Sequence, residues 1–446
     1  MSGGGVVWKT AAPATTFPVM GGALGSIAFL GVAGGAVAMV FALDAIPFKD
    51  VADWAHQGWI LNRCLAGDTL CGEFPIKPYP VPNTTATLFF ALAHAFAEPL
   101  RAAQAIVAIT LALWALAAWR LAASAEAGAR GLWALLLFGL FGLSTPFWLG
   151  YLNFQIGTAL LALSVGRLYA GRAGRIEIAL WSLVLFFTHA LPFGAFLAAT
   201  GWLALTRIGR RGDLLALGPA LALGVWYAMG RVVLDADLAP ATPPPVFEGW
   251  EYWWRYLRWK LVHPFGQGPG RLLIAGSTPL LAMDYAARFA LDAASACVSG
   301  VLLAAIARGL GKSWRDGERL GFVPGIVLLL AFLAAPPVNF LGLVNPGERF
   351  LLLGLLLLIP MAQLPRRAAP AIAALALALH AVNAAQLTRF DAAVAEGRHL
   401  AVFRFEDYSP YAVPVAAREP IMAAIAAGHA PPIEPGYATG IFRAKR

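Results

Sequence analysis

Two carboxylates follow the first apolar segment of the chain at a spacing that suits acid–base chemistry. Asp50 and Asp53 lie three residues apart, and His56 follows three residues later. On a helix this spacing places the three side chains on one face. Two carboxylates on one face split their pKa values, which leaves one of them as a base near neutral pH. The pattern predicts a catalytic pair, and an ordinary solvated acidic loop start is the alternative.

A second group of polar residues interrupts long apolar blocks. His189 lies in the middle of one block, the pair Glu348 and Arg349 lies in another, and Asn153 lies within the amide-containing turn Gly150–Gln155. Ionisable residues at membrane depth are costly and indicate function by default. Arg349 suits a phosphate because its guanidinium donates two parallel hydrogen bonds, although an interfacial anchor paired to Glu348 fits too. A packed, neutral histidine remains the alternative for His189.

The segment from Trp250 to Lys260 interleaves aromatic and basic residues at helical spacing. Such a helix lies in a membrane interface, with its rings at the headgroup level and its cations near lipid phosphates. One hypothesis is that Arg255, Arg258 or Lys260 holds a lipid-linked phosphate, and the other is an interfacial helix without a specific ligand. The composition would also stack a nucleic-acid base, but the flanking apolar spans argue against a nucleic-acid partner.

The three cysteines, Cys64, Cys71 and Cys297, are too few and too scattered for a zinc ribbon or a disulfide framework. Cys64 and Cys71 share one predicted outer loop, where an oxidising compartment favours a disulfide over two free thiols. Cys297 falls inside an apolar span as a small packing residue. No Walker loop, metal-spaced cluster or nucleophile elbow is present, so the sequence predicts no metal site.

The composition defines the elements that must position these residues. Of the 446 residues 59% are hydrophobic and 13% are charged, against about 25% charged residues in a soluble domain. This excludes a single water-soluble globule, and the high hydrophobicity excludes disorder. The remaining class is an all-α, polytopic helical membrane protein. The net charge of +9 is explained by arginines and lysines that anchor cytoplasmic turns.

Three apolar blocks are bounded by arginine at both ends, at 130–167, 175–207 and 319–366. Each block exceeds the ~20 residues that one crossing needs. Because positive ends favour the same side of the membrane, each block must cross an even number of times and therefore forms a helical hairpin. Helix breakers stand in the middle of each block: Ser144 to Pro146 with Gly150, then His189 to Pro192, then Pro336-Pro337 and Pro346-Gly347.

Single crossings complete a prediction of about eleven spans, with the N-terminus cytoplasmic and the C-terminus outside. They are Met20–Leu43, Ala103–Ala118, Leu214–Val233, Leu291–Ile306 and Ala369–Ala385. The predicted organisation is a transmembrane module over 1–387 with outer loops at 44–104 and 234–290. A small outer tail covers 388–446.

Together these motifs resemble the GT-C superfamily of integral-membrane glycosyltransferases, which use polyprenyl-phosphate sugars. Asp50-Val51-Ala52-Asp53-Trp54 looks like the first-loop pattern of that family, and Gly67-Asp68 and Lys77-Pro78-Tyr79-Pro80 look like its later landmarks. Further matches are Ser144 to Trp148 with Asn153, Thr188-His189, and Glu348-Arg349-Phe350-Leu351. The chain departs from the pattern where His189 replaces a lysine and where Asp50 is not followed by Glu.

The resemblance implies inverting transfer of a sugar from a polyprenyl-phosphate donor to a glycan, lipid or protein acceptor. The reaction would take place on the outer side of a bacterial cytoplasmic membrane. Asp50 would be the general base with Asp53 beside it, and Arg349 and His189 would contact the donor phosphate. His56 and Asn153 are further candidate substrate contacts. The resemblance implies no definite cofactor, and a divalent cation on Asp50 and Asp53 stays open, because some members of the superfamily need one.

Two other classes share the many-span build. A lipid or small-molecule transporter or flippase would show internal pseudo-symmetry and broken helices near mid-membrane. This sequence instead gathers its polar residues at one predicted face, and its halves do not look alike. A non-catalytic assembly subunit that binds membrane lipids through the Trp250–Lys260 segment is the third class.

Overall fold

In a computed structural model, the described residues are 20–124 without 45, 47 and 49, 130–206, 211–234, 285–315, 321–335, 346–363, 369–396 and 419–429. Residues 254, 257, 260, 261, 264, 339–340, 343–344 and 441–442 are described as well. Arg255 and Arg258 lie outside these residues.

The first half of the described chain is mostly helical. Its helices are α1 (Met20–Ala42), α2 (Val51–Leu65), α3 (Leu70–Glu73), α4 (Thr85–Ala93), α5 (Pro99–Leu121), α6 (Arg130–Leu137), α7 (Thr145–Trp148), α8 (Leu152–Tyr169), α9 (Arg175–Thr188), α10 (Ala190–Thr206), α11 (Asp213–Ala216) and α12 (Gly218–Leu234). A 3₁₀ turn, Ala122–Ser124, follows α5, and a π-helical segment, Phe138–Gly142, extends α6.

The second half continues the helical pattern with one small hairpin. Its helices are α13 (Tyr285–Arg315), α14 (Val323–Ala334), α15 (Pro346–Leu358), α16 (Ala369–Ala395) and α17 (Glu419–Ala426). Strands β1 (Asn339–Phe340) and β2 (Leu343–Val344) pair antiparallel between α14 and α15, and a 3₁₀ turn, Ile359–Met361, follows α15.

Four of the described helices are long and apolar enough to cross a membrane, within α1, α5, α13 and α16. Shorter apolar helices occupy Arg130–Gly142, Ala190–Thr206, Val323–Ala334 and Arg349–Met361. On α1 the side chains of Leu24, Ile27 and Leu30 are about two-thirds exposed, as lipid-facing residues are. The predicted all-α architecture with apolar spans is confirmed. The predicted single spans fall on helices, with Leu214–Val233 divided between α11 and α12, and the count of eleven stays a prediction.

The three arginine-bounded blocks break where the sequence predicts. Gly150 adopts a left-handed φ of +77°, and a Cβ there would lie 2.7 Å from the Asp50 nitrogen, so only glycine fits. His189 is extended (φ −167°) and separates α9 from α10. Ala335, also extended, ends α14 directly before Pro336, because proline disfavours the helical conformation of the residue before it.

The first outer loop contacts two of the hairpin turns through backbone hydrogen bonds. The Asp50 N–H donates to Leu149 O at 3.0 Å, and the Thr84 N–H donates to Phe187 O at 2.9 Å. These bonds satisfy carbonyls that the helix ends would otherwise leave without a donor. The two turns therefore lie at the same face of the bundle as the loop, as the even-crossing argument requires.

The C-terminal residues return to the first outer loop. Helix α17 packs against α2 and α5, the Lys77 N–H donates to Ile441 O at 2.8 Å, and Ile76 forms an antiparallel bridge with Phe442. The described part of the tail is thus packed on α2, α5 and the segment around Ile76 and Lys77.

The structure pairs Cys64 with Cys71 at the junction of α2 and α3, with their Cα atoms 5.1 Å apart. That separation lies in the usual range for a disulfide. Cys297 is free and exposed on α13.

Reporter fusions test the topology. The parity of the hairpins places Gly212 on the cytoplasmic side and Tyr437 outside. We expect a phosphatase fusion at Tyr437 and a fluorescent-protein fusion at Gly212 to be the active pair. Cytoplasmic activity at both positions would refute the even-crossing argument.

Thiol labelling tests the disulfide. Alkylation of the purified protein, read by mass spectrometry, should modify Cys64 and Cys71 only after reduction, since a bridged pair has no free thiol. Cys297 should be labelled without reductant and serves as the internal control. Labelling of all three without reductant would remove the bridge and weaken the outer placement of the loop.

Candidate functional site

Arg349 lies in the first turn of α15, where it is 8% exposed. Pro346 starts this helix, as proline suits the first helical position. A cation is unfavourable here, because the N-terminus of a helix carries a partial positive charge. Arg349 Nε has no hydrogen-bond partner among the residues that the structure describes. No ion pair joins the guanidinium to a carboxylate whose side chain is described, a set that does not include Glu348. The position is therefore electropositive, and its Nε is left without an acceptor.

Two aromatic rings lie beside the Arg349 guanidinium. Its Cζ lies 4.4 Å from the centroid of the Tyr151 ring and 5.6 Å from that of Phe154. Ring faces attract cations by about 2 kcal/mol when the contact is desolvated. Tyr151 and Phe154 belong to the start of α8, so the turn between α6 and α8 holds the guanidinium that α15 contributes.

His189 brings the turn of the second hairpin to the same place. Its Nε2 lies 3.2 Å from Arg349 Nη1, and its Nδ1 accepts the Leu191 N–H at 3.1 Å, which caps the N-terminus of α10. A neutral imidazole accepts at one nitrogen only. If Nδ1 accepts from Leu191, Nε2 carries the proton and faces another donor. An anionic oxygen between Nε2 and Arg349 would accept from both.

Asp50 stands next to this group through the backbone. It precedes α2, its N–H is bonded to Leu149 O, and Gly150 packs against it. The Leu149–Tyr151 segment thus links the Asp50 backbone to the ring that faces Arg349. Asp53 lies in the first turn of α2, and both acids are partly exposed.

Asn153 joins two segments of the protein. Its Oδ1 accepts the Ala86 N–H at 2.7 Å, and its Nδ2 donates to Asn83 O at 2.9 Å. Asn83 has a left-handed φ of 79°, which asparagine tolerates better than most residues. Both functional atoms of the amide are therefore engaged in attaching the first outer loop to α8.

Lys260 is also committed to the fold. Its ammonium donates to Leu333 O at 2.6 Å and to Ala335 O at the end of α14, and Phe332 lies beneath it at 5.6 Å. A cation is favourable at a helix C-terminus. Burial lowers the pKa of Lys260 to about 8, which leaves it mainly charged at neutral pH. These two hydrogen bonds indicate that Lys260 anchors its own segment of the chain to the C-terminal end of α14.

His56 points into the packing of α2 and is 1% exposed. Its Nε2 has no hydrogen-bond partner in the described part of the chain, and burial lowers the pKa of the ring to about 4. It does not share the exposure of Asp53, although the helical spacing predicts one common face. At neutral pH it is an uncharged interior residue.

The aromatic cage and the cap on α10 were not anticipated from the sequence. Tyr151 and Phe154 are three residues apart, the spacing of one helix face, and this was the available signal. Among the described residues, no three His, Cys, Asp or Glu side chains come together as metal ligands. Comparisons with protein-family models, curated proteins and solved structures find no match for this chain.

The low pKa of His56 generates a pH prediction. Because the folded pKa (about 4) lies below the unfolded value of about 6.5, the unfolded state binds more protons. Stability is then complete above about pH 6.5 and falls towards pH 4. At pH 5 the loss from this one group is roughly 2 kcal/mol.

We expect His56→Gln to reduce the acid sensitivity of unfolding. Thermal unfolding in detergent at pH 7.5 and pH 5 should show a smaller drop in midpoint for the variant than for the wild type. His429→Gln, at an exposed histidine of the tail, is the matched control and should behave as wild type. Equal drops in all three proteins would contradict the assignment.

Proposed function

We propose that this protein is an integral-membrane glycosyltransferase that moves a sugar from a polyprenyl-phosphate donor to an acceptor hydroxyl, with inversion. The acceptor is a glycan, lipid or protein on the outer side of a bacterial cytoplasmic membrane. The observation that carries the proposal is the buried Arg349 guanidinium, which faces His189 Nε2 at 3.2 Å and the ring of Tyr151, in the segment whose Leu149 O accepts the Asp50 N–H.

The electrostatics of the site favour an anionic ligand. The N-termini of α10 and α15 each contribute partial positive charge, Arg349 contributes a full charge, and its Nε has no partner among the described residues. Donors aimed at a site of developing negative charge stabilise the transition state. A lipid phosphate that leaves the sugar gains such charge, and the Arg349 fork can donate to two of its oxygens.

The remaining requirement is a base for the acceptor hydroxyl. Asp50 is attached to the Leu149–Tyr151 turn and is partly exposed, so an acceptor from the outer side can reach it while the donor phosphate is held below. Asp53, one helical turn further on, is placed to orient the base, to contact the acceptor or to share a divalent cation.

Substitution of the acids tests the chemistry. Asp50→Asn keeps the shape of the side chain but cannot take a proton, so we expect turnover to fall about 10²–10⁴-fold, the usual cost of losing a general base. Asp53→Asn should cost less. The measurement is transfer from synthetic polyprenyl-phosphate sugars by protein in lipid nanodiscs, with Glu73→Gln, an exposed acid of the same loop, as the control.

The donor contact is tested separately. Arg349→Lys keeps a charge but loses the fork, and Arg349→Met loses both, so we expect donor use to decline in that order, by roughly 10²–10³-fold in the methionine variant. His189→Gln retains an amide donor and should decline least.

Two results would redirect the interpretation. Full activity of Asp50→Asn together with loss in Asp53→Asn or Asp44→Asn would move the base to that residue. Activity in all three variants, combined with donor lipid crossing the bilayer of proteoliposomes, would favour a flippase.

A further inference from the structure

The C-terminal residues pack against the first outer loop at two separate contacts. At the first, Ile421 and Ile425, one helical turn apart on α17, are buried where that helix packs against α2 and α5. At the second, Phe442 is 1% exposed, its ring centroid lies 6.4 Å from that of Phe74, and its backbone bridges to Ile76. We call α17 together with Ile441 and Phe442 the strap.

The strap acts on the helix that carries the candidate base. Helix α2 has 15 residues, and a helix of that length is marginal on its own, so packing must hold it. Helix α4 covers one side, where a Cβ on Gly58 would collide with Phe90. The strap covers another side through α17.

The second contact, made by Phe442 with Phe74 and Ile76, also affects α2. The Cys64–Cys71 bridge closes the corner between α2 and α3, and Phe74 follows α3 directly. A contact that fixes Phe74 and Ile76 therefore limits movement of the C-terminal end of α2 as well. The start of the loop is attached to the end of α16, where the Asp44 N–H donates to Asp391 Oδ1 at 2.7 Å.

We propose that the strap sets the position of α2 and thereby aligns Asp50 over the Arg349 site, with Phe442 as a positioning residue. The effect on rate rests on the proposed function, whereas the effect on α2 does not. Aligning a reacting group to within about 1 Å is worth up to ~10²-fold in rate.

Hydrogen exchange of the full-length protein in nanodiscs tests the mechanical part. Phe442→Ala should raise exchange in peptides that cover residues 51–65 while leaving peptides from α9 and α13, which do not pack on the strap, unchanged. Phe442→Leu, which keeps most of the apolar volume, should restore protection. His429→Ala, at an exposed residue of the same tail, is the control. Unchanged exchange of residues 51–65 in Phe442→Ala would overturn the proposal.

Kinetics test the positioning part. We expect Phe442→Ala to lower kcat by roughly 10-fold or more, within the range for misplaced groups, while KM for the lipid donor stays near the wild-type value. The donor contacts of Arg349 lie outside the strap, which is why KM should not follow. Raised exchange with an unchanged kcat would overturn the positioning role.

A milder substitution tests the proposal if Phe442→Ala does not fold. Ile425→Val removes one methyl group at the contact of α17 with α2 and α5, and it should produce smaller changes in the same directions. If the wild type transfers no sugar, the proposed function fails, and the exchange experiment still decides whether the strap holds α2.

Discussion

A buried guanidinium is the constraint around which this protein is organised. Removing an ion from water costs several kcal/mol even after relaxation, unless a partner offsets the loss. Two aromatic rings and an imidazole lie beside the Arg349 guanidinium, and no carboxylate whose side chain the structure describes forms an ion pair with it. Rings and an imidazole offset only part of the cost. The remainder favours an anionic ligand, and it explains why three distant turns must meet here.

The first outer loop connects two of these turns through specific hydrogen bonds. It is attached by backbone bonds to the turns at Leu149 and Phe187 and by the Asn153 amide to the start of α8. Each of these bonds satisfies a group near a helix end that has no intrahelical partner. The polar residues of this face therefore divide into two kinds. Asn153 and Lys260 hold backbone segments together, whereas Arg349 Nε has no hydrogen-bond partner among the described residues.

The helices and their breaks were predictable from local signals. These signals are the arginines at both ends of each apolar block, the length of the block, and the glycine and proline residues within it. Arg349 and His189 were singled out because ionisable residues are rare in apolar sequence, and Asp50 because of its spacing from Asp53; the structure brings Arg349 to His189. The roles of Asn153 and Lys260 could not be predicted, since their partners are about 70 residues away along the chain. The packing of α17 on α2 was missed for the same reason, and the tail was predicted as a separate small region.

Helix length places the site relative to the membrane. At 1.5 Å per residue, the 14 residues of α9 extend about 21 Å, well short of a hydrocarbon core of about 30 Å. The 12 residues of α14 and 13 of α15 are no longer. If these hairpins start at the cytoplasmic border, as their arginines require, their turns end within the outer half of the bilayer. Arg349 and His189 would then lie at a depth that the phosphate of a membrane lipid reaches from the side, while Asp50 remains open to an acceptor from above. A soluble nucleotide donor would have no such approach, so with this topology the recess would favour the lipid-linked donor that we propose.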